Sequence, residues 1–306
     1  MKRLIVLAAL GLLAASLVGL AASWSRIFDY VNHFRPQLAG GGAALLCLGL
    51  LVRSRLTMLL ALAALGLNAG MMGYRTAQFW PPSMVETPSN GTVLLKLLSA
   101  NVLVDNLETA AFIKQIETHD PDIVVLLELN PSFQSAMARF NQRYPHTVIV
   151  PRADSFGVAV YAKYPFKSNV TYHGWYKLPL VQAEFAQFTL LAVHPVSPRT
   201  RTDRWEQRTY FHAIRDIAAA TINPLVLAGD LNATLWSETT FDLLPSGFKH
   251  LGGPFRYTWP RHFLPLAVQI DHVFATKGVA GKLTTLGDIG SDHFPILADL
   301  QIPTQR

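Results

Sequence analysis

The chain has 306 residues, enough for one large domain and a smaller appendage. Half of its residues are hydrophobic and only 15% are charged, a more apolar balance than in an ordinary soluble protein. The net charge of +6 belongs to residues 1–75, so residues 76–306 balance 19 basic against 19 acidic residues. That balance argues against a broad basic surface for nucleic acid, and the single cysteine, Cys47, excludes a disulfide framework or a cysteine-based metal site.

Three uncharged apolar stretches lie near the N-terminus, at residues 4–23, 38–52 and 56–73. A membrane-spanning helix needs roughly 20 apolar residues, so the first and third stretches are long enough and the second is short. A secretory signal peptide is the alternative for the first stretch, but its apolar run is longer than a usual signal core and two more stretches follow. A buried or re-entrant segment is the alternative for the second. We expect about three transmembrane helices that anchor residues 1–75 in a lipid bilayer.

The basic residues that flank these stretches predict an orientation. A Lys-Arg pair precedes the first stretch, and Arg53 and Arg55 lie between the second and third. Placing both pairs in the cytoplasm follows the positive-inside tendency, although Arg26 and Arg35 in the opposite loop weaken the bias. Three crossings then place residues 76–306 outside the cytoplasm. We therefore expect a multi-pass plasma membrane protein with an extracytoplasmic catalytic domain.

Residues 76–93 are rich in Pro, Ser and Thr and predict a linker, with Phe79 and Trp80 as candidate anchors at the membrane interface. From residue 94 to 303, short apolar runs alternate with amphipathic stretches, which indicates an α/β domain. The predicted strands are 94–100, 123–127, 157–162, 185–193, 225–229, 267–275 and 296–300. The predicted helices are 107–118 with Asn106 as N-cap, 131–141 with Asn130 as N-cap, and 203–220.

Polar side chains follow or close most of these strands. They are Asn101, Glu128, His194, Asp230, Asn232, Asp271, Asp292 and His293. Each alone is more often structural or solvent-exposed, since an Asp after a Gly is usually a turn residue. Together, the motifs GDLN, IDHVF and SDHFP in this order are not expected by chance. Carboxylate, amide and imidazole groups at one sheet edge predict a site for Mg²⁺ and a phosphate, because Mg²⁺ takes oxygen ligands from carboxylates and substrate phosphates.

The same segments resemble the endonuclease/exonuclease/phosphatase superfamily of DNase I-like proteins. The resemblance covers about residues 95–302; its specific motifs are GDLN at 229–232 and SDHFP at 291–295, and GVAVYAKYP supports them. It implies a four-layer α/β/β/α sandwich, with two sheets face to face, helices outside, and a site where the strand ends of both sheets meet. It also implies a metal-dependent phosphoesterase with Mg²⁺, or Mn²⁺, as cofactor.

The resemblance implies a set of metal- and substrate-binding residues. Glu128 would be the direct metal ligand with Asn101 beside it, and Asp292 would support the metal through water. Asn232 would hold a phosphate oxygen, and Asn101 would also face the substrate. A bound metal polarises a phosphoryl oxygen and lowers the pKa of a bound water.

The remaining residues would handle protons and charge. Asp230 would orient or deprotonate the attacking water. His293, oriented by Asp271, would stabilise the charge that builds on the phosphoryl group, and His194 would lie close to the phosphate as a proton donor. This division agrees with phosphoryl transfer, in which positioning and charge neutralisation supply most of the catalysis.

One departure bears on the substrate. Apurinic-site nucleases of the superfamily usually have a Gln before the metal-binding Glu and a Lys two residues after it, whereas this chain has Leu127 and Asn130. The first hypothesis is therefore a phosphoesterase that acts on a phosphorylated, membrane-associated molecule. A membrane-tethered nuclease is the alternative within the same fold. An inactive membrane-anchored binding module is the alternative from another class, and the complete set of polar residues argues against it.

Two further groups of residues allow two interpretations each. Four arginines at near-helical spacing could reach a phosphate-rich head group, although a solvated helix face is favoured: Arg201, Arg204, Arg208 and Arg215. Four tryptophans could line a substrate groove, although core packing or scattered surface positions are favoured: Trp175, Trp205, Trp236 and Trp259.

Overall fold

The computed structural model describes residues 1–79, 91–245, 247–253, 255–276 and 278–304. Most of the predicted linker, with Trp80, lies outside these residues. The described chain forms an N-terminal helical bundle followed by an α/β domain.

The bundle contains four helices: α1 (Lys2–Val18), α2 (Arg26–His33), α3 (Arg35–Leu51) and α4 (Arg55–Phe79). Among the described residues, two helical segments are long and apolar enough to cross a membrane, namely Lys2–Ala21, which extends α1 by a 3₁₀ turn, and α4. Helix α3 reaches that length only together with α2, from which it is bent by 64°. Two apolar helices of spanning length are thus present among the described residues, whereas a third span depends on the bent pair.

The first sheet of the domain contains β1 (Thr92–Asn101), β2 (Ile123–Leu127), β3 (His146–Val150), β4 (Val158–Ala162), β11 (Ala280–Thr285) and β12 (Ile296–Pro303). Their order is β11-β12-β1-β2-β4-β3. Only β1 and β2 run parallel. Their carboxyl ends therefore lie at the same edge of the sheet.

The second sheet contains β5 (Lys167–His173), β6 (Leu178–Glu184), β7 (Thr189–Val193), β8 (Leu225–Asp230), β9 (Lys249–His250) and β10 (Asp271–Ala275). Their order is β5-β6-β7-β8-β10-β9. Only β7 and β8 run parallel. The two sheets thus share one plan, a central parallel pair within an antiparallel sheet.

Four layers follow from the alternation of side chains along the strands. Leu97 and Val125 of the first sheet pack against Ala192 and Ala228 of the second. The outer face of the first sheet is covered by α5 (Ala110–His119) and α6 (Pro131–Met137), and that of the second by α7 (Arg201–Ala220) and α8 (Glu238–Leu243). The two mixed sheets and their helices confirm the expected α/β sandwich.

Several predicted elements need correction. Strands β3, β5, β6, β9 and β11 were not predicted, because most are partly exposed or very short and carry polar residues. The strand predicted at 185–193 begins only at Thr189, since Phe185 and Phe188 close a hairpin turn. The strand predicted at 267–275 likewise begins at Asp271. The N-cap position of helix α5 is Thr109, whose side chain makes no capping hydrogen bond, rather than Asn106. Asn130 caps α6 as predicted.

The end of α4 also differs from expectation. Residues 76–79, predicted to belong to a linker, continue the helix. Phe79 is fully buried with its ring 5.5 Å from that of Phe274 in β10, so it anchors the helix to the domain rather than to the membrane interface. Nearby, Gln78 donates a hydrogen bond to the carbonyl oxygen of Phe241 at 3.1 Å. The N-terminal bundle and the domain are thus directly packed together.

Candidate active site

The central strands of both sheets bring polar side chains to one edge of the sandwich. Asn101 ends β1 beside Leu127 of β2, so Glu128 follows at the same level. Asp230 ends β8 and faces Asp271, the first residue of β10. The amide nitrogen of Asn101 lies 3.2 Å from the carboxylate of Asp230, which joins the two sheets at this point.

Glu128 is held by the turn that follows β2. Its φ of 54° takes the chain out of the strand, and its carboxylate accepts hydrogen bonds from Asn101 Nδ2 at 3.0 Å and from the backbone N–H of Val104 at 3.1 Å. Asn130 braces the same loop by donating to the carbonyl oxygens of Val104 at 3.0 Å and Asn106 at 2.7 Å. Asn130 was predicted only as a helix cap, so this second contribution was missed.

The GDLN motif places Asp230 through its glycine. Gly229 has a φ of 153°, and a Cβ there would lie 1.9 Å from the carbonyl oxygen of Val193 in β7, so only glycine permits this approach. The next polar residue, Asn232, has a φ of 49° and donates its backbone N–H to Asp230 at 2.8 Å. Its side chain donates to the carbonyl oxygen of Pro195 at 3.0 Å.

His293 is oriented by a buried carboxylate. Its Nδ1 lies 2.8 Å from Asp271, which leaves Nε2 directed at Asp230 at 3.8 Å and at Asp292 at 4.0 Å. Burial lowers the pKa of His293, but the charges of Asp271 and Asp230 and the hydrogen bond to Asp271 outweigh it and raise the pKa to about 10. His293 therefore carries a positive charge at neutral pH and can stabilise a phosphoryl oxygen.

His194 approaches Asp230 from the other side. Its Nε2 lies 3.5 Å from the same Asp230 oxygen, and the side chain is almost fully buried. Burial lowers the pKa of His194, but the hydrogen bond and charge of Asp230 raise it overall. Burial in turn raises the pKa of Asp230, but His293 and His194 lower it overall. Asp230 is thus an ionised acceptor between two imidazoles.

The side chain of Asp292 has a hydrogen-bond partner that was not predicted from the sequence. Trp259 donates its indole N–H to Asp292 at 2.9 Å. Arg261 donates its backbone N–H to the carbonyl oxygen of Asp292 at 2.9 Å. Trp259 therefore fixes the carboxylate of Asp292 in place. Of the four tryptophans considered as candidates, Trp259 lines the active-site cavity.

These side chains surround a cavity of about 770 Å³. Six of the eight predicted residues line it, and Asn101 and Asp271 contact them from behind. The lining also contains six carboxylates and one arginine: Asp105, Glu128, Asp154, Asp203, Asp230, Asp292 and Arg199. The cavity is thus strongly acidic where the predicted residues meet.

The donor set fits a divalent cation. Glu128, Asp230 and Asp292 present carboxylate oxygens to the cavity, and such oxygens are the ligands that Mg²⁺ and Mn²⁺ prefer. Ligand atoms of Asp230, Asp271 and His293 lie within 4.8 Å of one another, but Asp271 and His293 are already bonded to each other. The lining carries more carboxylates than cationic side chains, which also favours a bound cation. Asn101 directs its amide nitrogen at both carboxylates, so it would ligate only with the amide reversed.

The amino-acid sequence establishes the family to which the chain belongs. The profile of the endonuclease/exonuclease/phosphatase family matches residues 98–293, most of the α/β domain. The chain belongs to this family, whose members are typically metal-dependent hydrolases that act on phosphoesters. No curated protein matches the chain.

Solved structures support the same fold. An endonuclease/exonuclease/phosphatase from Bacteroides vulgatus is 20% identical, with a TM-score of 0.55 over 69% of this chain and 99% of that one. The humanized TDP2 of D. rerio is 19% identical, with a TM-score of 0.56 over 68% and 98%. An AP endonuclease from Archaeoglobus fulgidus is 14% identical, with a TM-score of 0.55 over 67% and 98%. At these identities the similarity establishes the fold alone.

The arginines on α7 differ in their surroundings: some are exposed, two pair with Glu238, and one also contacts the N-terminal bundle. Arg204 and Arg208 form ion pairs with Glu238 at 2.7 and 3.3 Å, and Arg204 also donates to the carbonyl oxygen of Ala22 at 3.0 Å. Arg215 is half-exposed, as the solvated-face interpretation expects. Arg204 therefore has an intramolecular role that the sequence did not predict.

Proposed function

We propose that this chain is a membrane-anchored, divalent-metal-dependent phosphoesterase whose substrate is a phosphoester or pyrophosphate of a membrane-associated molecule. The observation that carries the proposal is the convergence of Glu128 from one sheet with Asp230 and His293 from the other on a single acidic cavity. A surface that only bound a phosphate would not need an ionised Asp230 between two histidines.

The protein groups have separable tasks. Asp230 accepts a proton from, and orients, a water that attacks phosphorus. His293, protonated and held by Asp271, donates a hydrogen bond to the phosphoryl oxygen that gains charge. His194 delivers a proton to the leaving oxygen. Asn232 positions the phosphate, and Asn101 positions the carboxylates of Glu128 and Asp230 from behind.

Glu128 and Asp292 would hold the cation, with Asp230 beside them. Mg²⁺ or Mn²⁺ would supply Lewis-acid polarisation of the phosphoryl oxygen. The protein provides the rest of the charge balance, since the pKa of Asp230 is lowered by the two histidines.

The packing of the bundle supports three crossings. The segment after α1 reaches the domain at Ala22, and α4 reaches it at Phe79, so both helices begin at the end remote from the domain. The chain must return between them, and α3 runs back along both helices. With the Lys-Arg pair and Arg55 in the cytoplasm, the domain lies outside it.

A membrane-associated substrate is favoured over nucleic acid by the anchor and by charge. The anchor confines the site close to lipid head groups and raises their effective concentration. Binding of a phosphate backbone depends on several Lys and Arg contacts, and the cavity offers Arg199 alone among its lining residues. A membrane-tethered nuclease is the second candidate, because one similar structure is an AP endonuclease and another is TDP2 in complex with a single-strand DNA product.

The test compares substrates with the full-length protein in detergent micelles. Release of phosphate from lipid phosphates, lipid pyrophosphates and nucleotides is measured in one Mg²⁺ buffer, together with cleavage of plasmid DNA. We expect turnover of a lipid substrate that EDTA abolishes and Mg²⁺ restores. DNA cleavage at physiological salt without lipid turnover would favour the nuclease. No turnover of any substrate would favour the inactive binding module.

A further inference from the structure

One wall of the active-site cavity comes from the membrane anchor. Tyr30 and His33 of α2, with Phe34 between α2 and α3, line the same cavity as Glu128 and His293. The side chains that belong to the anchor are therefore within the site, although they are far from it in sequence. Their presence there requires a firm attachment between α2 and the domain.

Three contacts attach this segment to the domain. The hydroxyl of Tyr30 donates to the carbonyl oxygen of Pro198 at 2.6 Å, within the loop that follows His194. Asp29 accepts a hydrogen bond from the backbone N–H of Glu238 at 2.8 Å and is buried. Arg204 closes the contact at the start of the segment by donating to Ala22. The helix is thus held against the rim of the site by contacts in its middle and in the segment before it.

The anchor holds α2 from its other side. Asn32 donates to the carbonyl oxygen of Gly19 at 3.1 Å and to Asp29 at 2.8 Å. Arg35 is fully buried and donates to Asn32, to the carbonyl oxygen of Ser16 at 3.0 Å, and to Asn68 at 2.8 Å. Buried polar groups that are satisfied in this way fix one arrangement of the helices. The wall is therefore preorganised rather than a loosely tethered segment.

The cavity lining combines a polar part and an apolar part. Acidic and imidazole groups form the polar part, and Phe34, Phe156, Val196, Val268 and Ile270 contribute apolar surface. The two parts adjoin, since the rings of Phe156 and His194 lie 5.3 Å apart. A ligand that fills both parts carries a phosphate and an apolar group joined to it. Inorganic phosphate or a nucleotide would leave the apolar part in contact with water.

The surroundings of this wall are apolar as well. Trp24, just before α2, is 85% exposed, and Phe263 and Leu264 in the loop before Val268 are 54% and 56% exposed. Gln37 of α3 ties this loop to the anchor by donating to the carbonyl oxygen of Ala267 at 3.0 Å. Exposed aromatic and aliphatic side chains beside candidate membrane spans are typical of the bilayer interface. The cavity is thus flanked by surface suited to the membrane from which a lipid would enter.

We propose that α2 and Phe34 form a substrate-binding wall that takes the hydrocarbon chain of a lipid phosphate while its phosphate lies between Glu128 and His293. This inference rests on the proposed phosphoesterase function. It adds that the anchor selects the substrate, so that the apolar chain, and not only proximity to the membrane, determines the rate.

The experiment uses the full chain in nanodiscs or micelles with two probes that differ only in their chains, dioleoyl and dibutanoyl phosphatidic acid. The readout is the ratio of their kcat/KM values in Mg²⁺ buffer. In Phe34→Ala we expect this ratio to fall about tenfold through a higher KM for the dioleoyl probe, as for loss of a hydrophobic pocket contact. Phe34→Leu, which keeps apolar volume, should restore most of the ratio. Ile27→Ala lies on the same helix outside the cavity and is the matched control.

The outcomes separate this inference from the proposed function. Turnover by the wild type with an unchanged ratio in Phe34→Ala would overturn the binding wall and leave the phosphoesterase intact. An equal loss on both probes, in Phe34→Ala and Phe34→Leu alike, would indicate structural damage and would also overturn it. Failure of the wild type to hydrolyse either probe, with turnover of other phosphoesters, would overturn the lipid specificity. Failure on every phosphoester would overturn the proposed function itself.

Discussion

Asn101 and Asp230 belong to different sheets, yet the amide of Asn101 donates to Asp230 across a distance of 3.2 Å. The same amide nitrogen donates to Glu128 at 3.0 Å. One small polar side chain thus connects the candidate metal ligand of the first sheet to the candidate general base of the second. The relative position of the two sheets would therefore determine the geometry between a bound metal and the attacking water in the proposed mechanism.

Asp230 is the residue on which the proposed chemistry depends most. Asp230→Asn removes the ionised acceptor between His194 and His293 but keeps the shape of the side chain. We expect kcat to fall by about 100-fold or more, the range of general-base catalysis. The value of kcat is obtained from the rate of phosphate release under saturating Mg²⁺. Asp299→Asn, an exposed carboxylate on β12, is the control, and a wild-type rate in Asp230→Asn would remove the proposed role.

Asp271 acts through His293 rather than on the substrate. Asp271→Asn removes the charge that orients the imidazole and holds its pKa at about 10. We expect kcat to fall about tenfold or more with little change in KM, because the charge on His293 matters most in the transition state. Steady-state kinetics separate the two parameters. A rise in KM at constant kcat would instead indicate that Asp271 contributes only to ground-state binding.

Phe79 couples the anchor to the core of the domain. Its ring is fully buried against Phe274, so Phe79→Ala opens a cavity that the sheet cannot fill. We expect a loss of about 3 kcal/mol or more in the free energy of unfolding, as for other buried Phe→Ala changes. Thermal unfolding of the detergent-solubilised chain measures it. Leu62→Ala, at an exposed position on the same helix, should leave the melting temperature nearly unchanged.

Two buried histidines behind the site make stability sensitive to acid. Nδ1 of His272 lies 3.0 Å from Nε2 of His250, and burial lowers the pKa of His272 to about 4 and that of His250 to about 3. Because an unfolded histidine has a pKa of about 6.5, the unfolded state binds more protons below that value. The stabilising contribution is complete above pH 6.5 and is lost as the pH falls toward 4.

The measurement is the free energy of unfolding between these pH values in the wild type and in the His250→Leu/His272→Leu variant. The variant should show a shallower loss on acidification, whatever its stability at neutral pH. An identical pH slope in both proteins would mean that the two histidines do not control acid stability.

The strands that carry the motif residues were predicted from the sequence more accurately than the strands around them. Strands such as β2 and β8 are continuous buried apolar runs, so their carboxyl ends, and hence Glu128 and Asp230, were placed correctly at one edge. Strands β5 and β11 escaped prediction because they lie at the edges of their sheets and are mostly exposed or half-exposed, with no continuous buried run and no regular alternation of apolar residues. The strands of the two parallel pairs position the candidate site residues. They are also the strands whose continuous apolar runs make them easiest to predict from sequence.

Contacts between segments that are far apart in the chain could not be predicted from the sequence. Trp259 and Asp292 are 33 residues apart, and Tyr30 and Pro198 are 168 apart, so no local pattern signals either pair. Phe79 resembled an interface aromatic because it follows an apolar helix and precedes prolines. Only the packing of α4 on β10 shows that its ring belongs to the core. The composite cavity is likewise a property of tertiary structure.

Topology provides the last prediction. The segment after α1 contacts Arg204 at Ala22 and α4 contacts β10 at Phe79, so the N-terminus and the turn near Arg53 lie together at the opposite end of the bundle. If α3 crosses the membrane between them, the domain is extracytoplasmic and that turn is cytoplasmic. Alkaline phosphatase fused to the C-terminus should be active and green fluorescent protein dark, with the reverse pattern for fusions at Ser54. A fluorescent C-terminal fusion, with inactive alkaline phosphatase at the same position, would overturn this orientation and place the domain in the cytoplasm and the turn near Arg53 outside it.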